Sequence, residues 1–327
     1  MGLPTIAVVE AMRDGLAQWQ SGTASPVVYD EAVASARASY AVLVGLGVAN
    51  VAVGPAASVF AGVVAASLPH GAHVLAITDD FTSMLFPFMV QEQRDRGIRV
   101  DLVPLEELAG AVTERTDMVV FSLAQSKNGA LVDVDAVLEA AARAGARTFC
   151  DLTQAAGWYV VDAARFDLTI CAAYKWLCQP RGTAYFTASN AEIARLTPVN
   201  AGWYAGESVW DSVYGPGMTL ARDARRFDVS PSWLSWVGAA AAGPLFTQAP
   251  IATLGAHGIG LANEFRSRLG LDPGVTPVVS MPDLDGAKAR ACAAAGITIA
   301  SRAQAVRIAF HLWNTTDDVD LIEGALR

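Results

Sequence analysis

Short runs of apolar, largely β-branched residues alternate along this chain with Ala-rich stretches whose apolar positions recur at helical spacing. The short runs predict strands over Asn50–Val53, His73–Ile77, Arg99–Val103, Met118–Leu123, Arg147–Cys150 and Leu168–Ala172. The longer stretches predict helices over Tyr29–Leu46, Ala56–Ser67, Phe86–Arg96 and Val134–Ala144. Strands separated by helices imply crossover connections. The expected fold class is therefore α/β, a mostly parallel sheet sandwiched by helices.

The pattern changes after about Ser230. Helical spacing covers Ser232–Gln248 and Ile251–Leu269, followed by a strand over Val275–Met281 and a helix over Leu284–Ala295. Extended segments at Thr298–Ala300 and Val306–His311 precede a closing helix over Thr316–Leu326. This is α+β material. It divides the chain into a large domain over 1–235, N-terminal segment included, and a small C-terminal domain over 236–327.

Composition narrows the function classes. The 327 residues are 53% apolar and 17% charged, enough for a large buried core. Net charge is −9 and no Lys/Arg cluster occurs, which argues against a nucleic-acid partner. The apolar stretch Val51–Leu68 is interrupted by Gly54, Pro55 and Ser58 and reads as buried structure, so no membrane association is expected. Met1–Gln20 carries Glu10, Arg13 and Asp14 and lacks the pattern of a signal peptide. Cys150, Cys171, Cys178 and Cys292 have neither metal-ligand nor disulfide-framework spacing, so no metal is expected and the cytoplasm is the expected compartment.

The chemistry concentrates between Arg147 and Phe186. A predicted strand ends in Asp151, and the next predicted strand runs into Tyr174 and Lys175. Ligands bind beyond the carboxyl ends of parallel strands, so an acid and an amine would face one crevice. Pyridoxal phosphate (PLP) chemistry needs such a pair: an amine to hold an aldehyde, and an anion to keep a pyridine nitrogen protonated. The plainer alternative is that Asp151 caps a helix and Lys175 lies on the surface. No G-x-G-x-x-G or G-x-x-x-x-G-K-[ST] motif follows a strand, which argues against a nucleotide-binding enzyme.

The stretch CDLTQAAGWYVVDAARFDLTICAAYKWLCQPRGTAYF, Cys150–Phe186, resembles the signature of class V aminotransferase-fold PLP enzymes, a group with kynureninases, cysteine desulfurases and isopenicillin N epimerase-like proteins. The resemblance implies fold type I. It implies that Lys175 carries PLP as a Schiff base, that Asp151 meets the pyridine nitrogen, that Gln154 bonds the phenolic oxygen and that Tyr174 reaches the phosphate. It further places Ala56, Ala57 and Ser58 at the phosphate turn, with Ala where relatives often carry Thr. Phe81 falls on the pyridine face and Ser126 near the phenolic oxygen. Gly202-Trp203 resembles a kynureninase-like element that reaches the neighbouring subunit's phosphate, which implies a homodimer with a shared site. The run Val306–Thr315 resembles the segment whose arginine, here Arg307, grips a substrate carboxylate.

The expected function is a PLP-dependent enzyme acting on an amino acid, with Lys175 as the catalytic base and transamination ahead. The alternatives are a C–S or kynureninase-like C–C lyase, or a non-catalytic binding module of the same fold. Cys292 falls in a helical pattern and Gln154 stands where desulfurases favour His, so desulfurase activity is not expected.

Overall fold

The structure is a computed structural model that describes residues 2–302 and 304–327. The N-terminal half holds α1 (Ile6–Ser21), α2 (Pro26–Leu43), β1 (Val51–Gly54), α3 (Ala57–Ala66), β2 (His73–Ile77), α4 (Thr82–Glu92) and β3 (Arg99–Val103). There follow α5 (Leu108–Ala111), β4 (Met118–Ser122), α6 (Val134–Ala144), β5 (Arg147–Asp151), β6 (Leu168–Ala172), β7 (Ala184–Ala188) and α7 (Asn190–Arg195). The C-terminal part holds α8 (Trp233–Gln248), α9 (Ile251–Arg268), β8 (Val278–Pro282), α10 (Ala287–Ala294), β9 (Ala300–Arg302), β10 (Ala305–Ala309) and α11 (Thr316–Leu326).

The large sheet has the order β1-β7-β6-β5-β4-β2-β3. Strands β3, β2, β4, β5 and β6 are parallel, while β7 runs antiparallel to both of its neighbours. The reversal has a local cause. No helix separates β6 from β7, and a connection without a crossover returns the chain antiparallel. Lys175 sits on that connection, at the carboxyl end of β6.

Both faces of the sheet are covered, so the central strands are buried almost throughout and mostly apolar. Phe121 and Tyr185 face one core, with Tyr40 of α2 stacked on Tyr185 at 4.1 Å. Phe149 and Phe186 face the other, against Phe60 of α3 and Phe88 of α4. The small sheet, β8-β10-β9, is antiparallel and packs a separate core of residues such as Phe265, Val306 and Ile322. Helix α8 buries Trp236 in the same core as Tyr40, Phe121 and Tyr185. None of the described helices is long and apolar enough to cross a membrane.

Several elements differ from the sequence expectation: α5, β7 and α7 were not predicted, β9 spans Ala300–Arg302 rather than Thr298–Ala300, and α1 and α4 differ for identifiable reasons. Helix α1 was not anticipated, because it buries little of its own: Val8 and Gly15 are covered, while Ile6, Leu16 and Trp19 are exposed. Its ends carry the signals instead. The Thr5 hydroxyl accepts from the Val8 N–H at 3.3 Å, and Gly22 closes the helix at φ 72°. Helix α4 spans Thr82–Glu92 rather than Phe86–Arg96. The polar Thr82-Ser83 pair and Pro87 break the apolar pattern over a first turn that is nonetheless helical.

Candidate active site

Strand β5 ends at Asp151, and two hydrogen bonds clip its tip to that of β6. Leu152 N–H donates to the Ile170 carbonyl at 2.7 Å, and Ala172 N–H donates to the Thr153 hydroxyl at 2.9 Å. The Asp151 carboxyl is buried and accepts from the Thr153 N–H at 2.8 Å. Burial raises its pKa to about 6, against the hydrogen bonds from Thr153 and the attraction of Lys175. Burial likewise lowers the Lys175 pKa to about 8, helped by the positive charges of Arg307 and Arg302 and opposed by Asp151. The Lys175 Nζ lies 5.0 Å from the centre of the Phe81 ring and 5.9 Å from that of Tyr174. An amine shifted toward neutrality in this way is available as a nucleophile.

Asp151 and Lys175 line one cavity together with Ala57, Ser58, Phe81 and Tyr174. Ala56, at the start of α3, makes no side-chain cap, so the first N–H groups of the helix are open to an anion. Two buried carboxylates shape this cavity from outside it. Asp80 accepts from Ser122 N–H at 2.7 Å, Ser122 Oγ at 2.6 Å and Phe81 N–H at 2.6 Å, which ties β2 to β4 and sets the Phe81 backbone. Asp228 forms a two-pronged pair with Arg37 at 3.0 and 2.6 Å and accepts from Val53 N–H at 2.8 Å, bracing β1 just before the turn into α3.

A second cavity opens on the other side of Lys175 and is lined by Gln154, Trp176, Arg302, Arg307 and His311. The Gln154 amide donates to Ser126 Oγ at 3.1 Å and accepts from Trp176 Nε1 at 3.2 Å. Arg307 donates to the Ser126 carbonyl, while its buried Nε has no partner among the described residues. His311 is stacked between Trp176 at 4.8 Å and Trp313 at 3.8 Å. Its Nδ1 accepts from Leu312 N–H at 2.8 Å, and burial pushes its pKa down to about 3, so it is neutral at physiological pH.

The aminotransferase class-V family model matches residues 54–284. The chain belongs to the class V aminotransferase family. An uncharacterized aminotransferase of Bacillus subtilis, YcbU, is 26% identical over 312 residues, covering 87% of this chain and 80% of that protein. The kynureninase of Deinococcus radiodurans is 28% identical over 237 residues, covering 70% of this chain and 57% of that one. Among solved structures, the cystine C–S lyase C-DES aligns with a TM-score of 0.88 at 15% identity, over 99% of this chain and 94% of that one. The Escherichia coli cysteine desulfurase CsdA aligns at 0.82 and 18%, over 99% and 91%. Both likenesses concern the fold, which is type I of the PLP enzymes. Membership of the class V family makes this protein a PLP-dependent enzyme of amino acids, an aminotransferase or a lyase.

The cavity fits that cofactor on its own terms. It offers open helix N–H groups for a phosphate, a flat ring and a buried carboxyl for a pyridinium, and a softened lysine for an aldehyde. Of the expected residues, Ala56, Ala57, Ser58, Phe81, Asp151, Tyr174 and Lys175 line this cavity, and Gln154, Ser126 and Arg307 meet beside it. Trp203 stands apart: it packs on Tyr204 and Trp210, each at 5.2 Å, and lines neither cavity. Cys292 is buried in the core beneath the small sheet and lines neither cavity. Among the described residues no group of three or more His, Cys, Asp or Glu could hold a metal ion. Sequence reasoning overlooked Thr153, Asp80, Arg181 and Arg302. Thr153 alone left a signal, as a hydroxyl two positions past the strand-end acid.

Proposed function

We propose that this class V family member is an aminotransferase in which Lys175 holds PLP and carries the proton during turnover. The observation behind this reading is the single cavity shared by Asp151, Lys175, Phe81 and the start of α3. PLP supplies the electron sink that allows a Cα–H bond of a bound amino acid to break. Asp151, buried against Thr153, keeps the pyridine nitrogen protonated. Phe81 and the β5–β6 tips would hold the ring from its sides. Gln154, oriented by Ser126 and Trp176, would supply an amide donor beside it. Arg307 holds the substrate carboxylate, and the Lys175 Nζ removes and returns the proton at Cα.

The reading extends to a cytoplasmic homodimer. Helix α4 leaves Phe86 and Val90 exposed beside Gly62 of α3, an apolar face suited to a second copy. Trp203 then belongs to the partner's phosphate end, in keeping with its position outside its own cavity.

Borohydride reduction of the yellow protein followed by peptide mass spectrometry should place the pyridoxyl group on Lys175. A label on another lysine would sink the assignment. Keto-acid release that requires an amino acceptor marks a transaminase, and sustained release without one marks a lyase. Sedimentation velocity reads the dimer.

A further inference from the structure

The β9–β10 hairpin pairs Arg302 with Ala305 and Arg307 with Ala300. Residues directly opposite each other, and alternate residues along a strand, share a face. Arg302 and Arg307 therefore project from the same face as diagonal neighbours, roughly 7–8 Å apart at their anchors. Both line the cavity that holds Lys175, and Arg181, stacked at 4.5 Å over Tyr174, stands at its rim. No lining residue of this cavity is acidic. Neither Arg302 nor Arg307 forms a salt bridge among the described residues, whereas nearby Lys127 is paired with Asp79 at 2.7 Å. Arg307 is held below its ordinary pKa by burial and by the positive charge of Arg302. In a chain of net charge −9, this concentration of positive charge is a local exception.

Arg302 also borders an adjoining cavity with Asp79 and Asp80, but within the Lys175 cavity a substrate α-carboxylate at Arg307 leaves it without an anion. We infer that Arg302 is a second anion-binding residue, and that the preferred substrate is an α-amino acid whose side chain ends in a carboxylate. Arg302 stands exposed at the mouth, so its contribution is salt-dependent. This inference deepens the proposed aminotransferase reading and rests on it for the placement of the α-carboxylate at Arg307.

Binding to the holoenzyme, read from the cofactor's absorbance, should favour glutamate over glutamine and aspartate over asparagine by at least about tenfold. Arg302→Gln should erase that preference, bringing glutamate and aspartate to within about twofold of their amides. Equal affinity for acid and amide in the wild type, or a preference that survives Arg302→Gln, overturns the inference. Cysteate and phosphoserine present a sulfonate and a phosphate to the same guanidinium, and a stronger response to either overturns the carboxylate assignment. Calorimetry of glutarate against its mono-amide, on the same preparation, reads Arg302 without any cofactor chemistry: a preference for the diacid lost in Arg302→Gln supports the inference, and no preference refutes it. Failure to find PLP on Lys175 would instead count against the aminotransferase reading, so the two failures are distinguishable.

Discussion

The Thr153 hydroxyl accepts the Ala172 backbone N–H at 2.9 Å, and this bond holds the tips of β5 and β6 together. Asp151 lies two residues before one partner and Lys175 three residues after the other. The contact thus governs how the acid and the amine meet one ring. Thr153→Val keeps the shape and leaves the Ala172 N–H buried without an acceptor, a loss of about 1–3 kcal/mol. Urea unfolding should show that loss. kcat should fall by about tenfold or more, because misplacement of reacting groups is amplified in rate. An unchanged kcat would remove Thr153 from the positioning machinery.

Arg307 should separate binding from chemistry. Its guanidinium makes a charge-assisted contact worth about 1.5–3 kcal/mol, so Arg307→Ala should raise KM by about 10–150-fold. Arg307→Lys keeps the charge, loses the fork and should recover only part of the affinity. Steady-state kinetics with one amino donor tests both. A variant with native KM would place the carboxylate elsewhere.

The Arg37–Asp228 pair carries a stability prediction without a catalytic residue. Both groups are buried, and Asp228 also takes the Val53 N–H. Removing one partner strands the other, so Arg37→Met should cost about 3–5 kcal/mol. Replacing both, as Arg37→Met with Asp228→Leu, should cost less than the sum of the single changes. Denaturant midpoints of the three variants close the cycle, and simple additivity would contradict the pairing.

Protein stripped of cofactor should show a pH-dependent stability set by the two central groups. Asp151 rises from 3.8 to about 6 on folding. Between those values the folded state keeps a proton that the unfolded chain has released, so stability falls as pH rises. Lys175 drops from 10.5 to about 8, so between about 8 and 10.5 the unfolded chain holds the extra proton and stability rises with pH. The contribution of this pair is least favourable between about pH 6 and 8, the window in which PLP should stabilise most. Asp151→Asn should flatten the acid limb and Lys175→Met the alkaline limb in urea midpoints measured across pH. A limb that persists in its variant belongs to another group.

Much of this site was legible along the chain because its parts are local. The alternation of apolar runs and helical stretches marked five of the parallel-direction strands around Asp151, and each strand-end residue inherits its position from the strand. Asp151 and Lys175 follow two successive predicted strands and could be paired from the chain alone, while Gln154 and Tyr174 joined them only through the resemblance of the stretch Cys150–Phe186 to class V enzymes. The small-residue start of α3 was visible for the same reason.

What the chain order could not reveal are relationships closed by folding. The Asp80 anchor to Ser122, the Arg37–Asp228 pair and the Trp176–His311–Trp313 stack join residues far apart in sequence, and nothing in their neighbours announces a partner. Arg302 looks like any polar turn residue until the β9–β10 register sets it diagonally beside Arg307. Residue type and strand position determined which chemistry this protein carries. Side-chain convergence across the sheet and between the two domains decided how that chemistry is held and which charges meet the substrate, because burial and pairing exist only once distant segments pack.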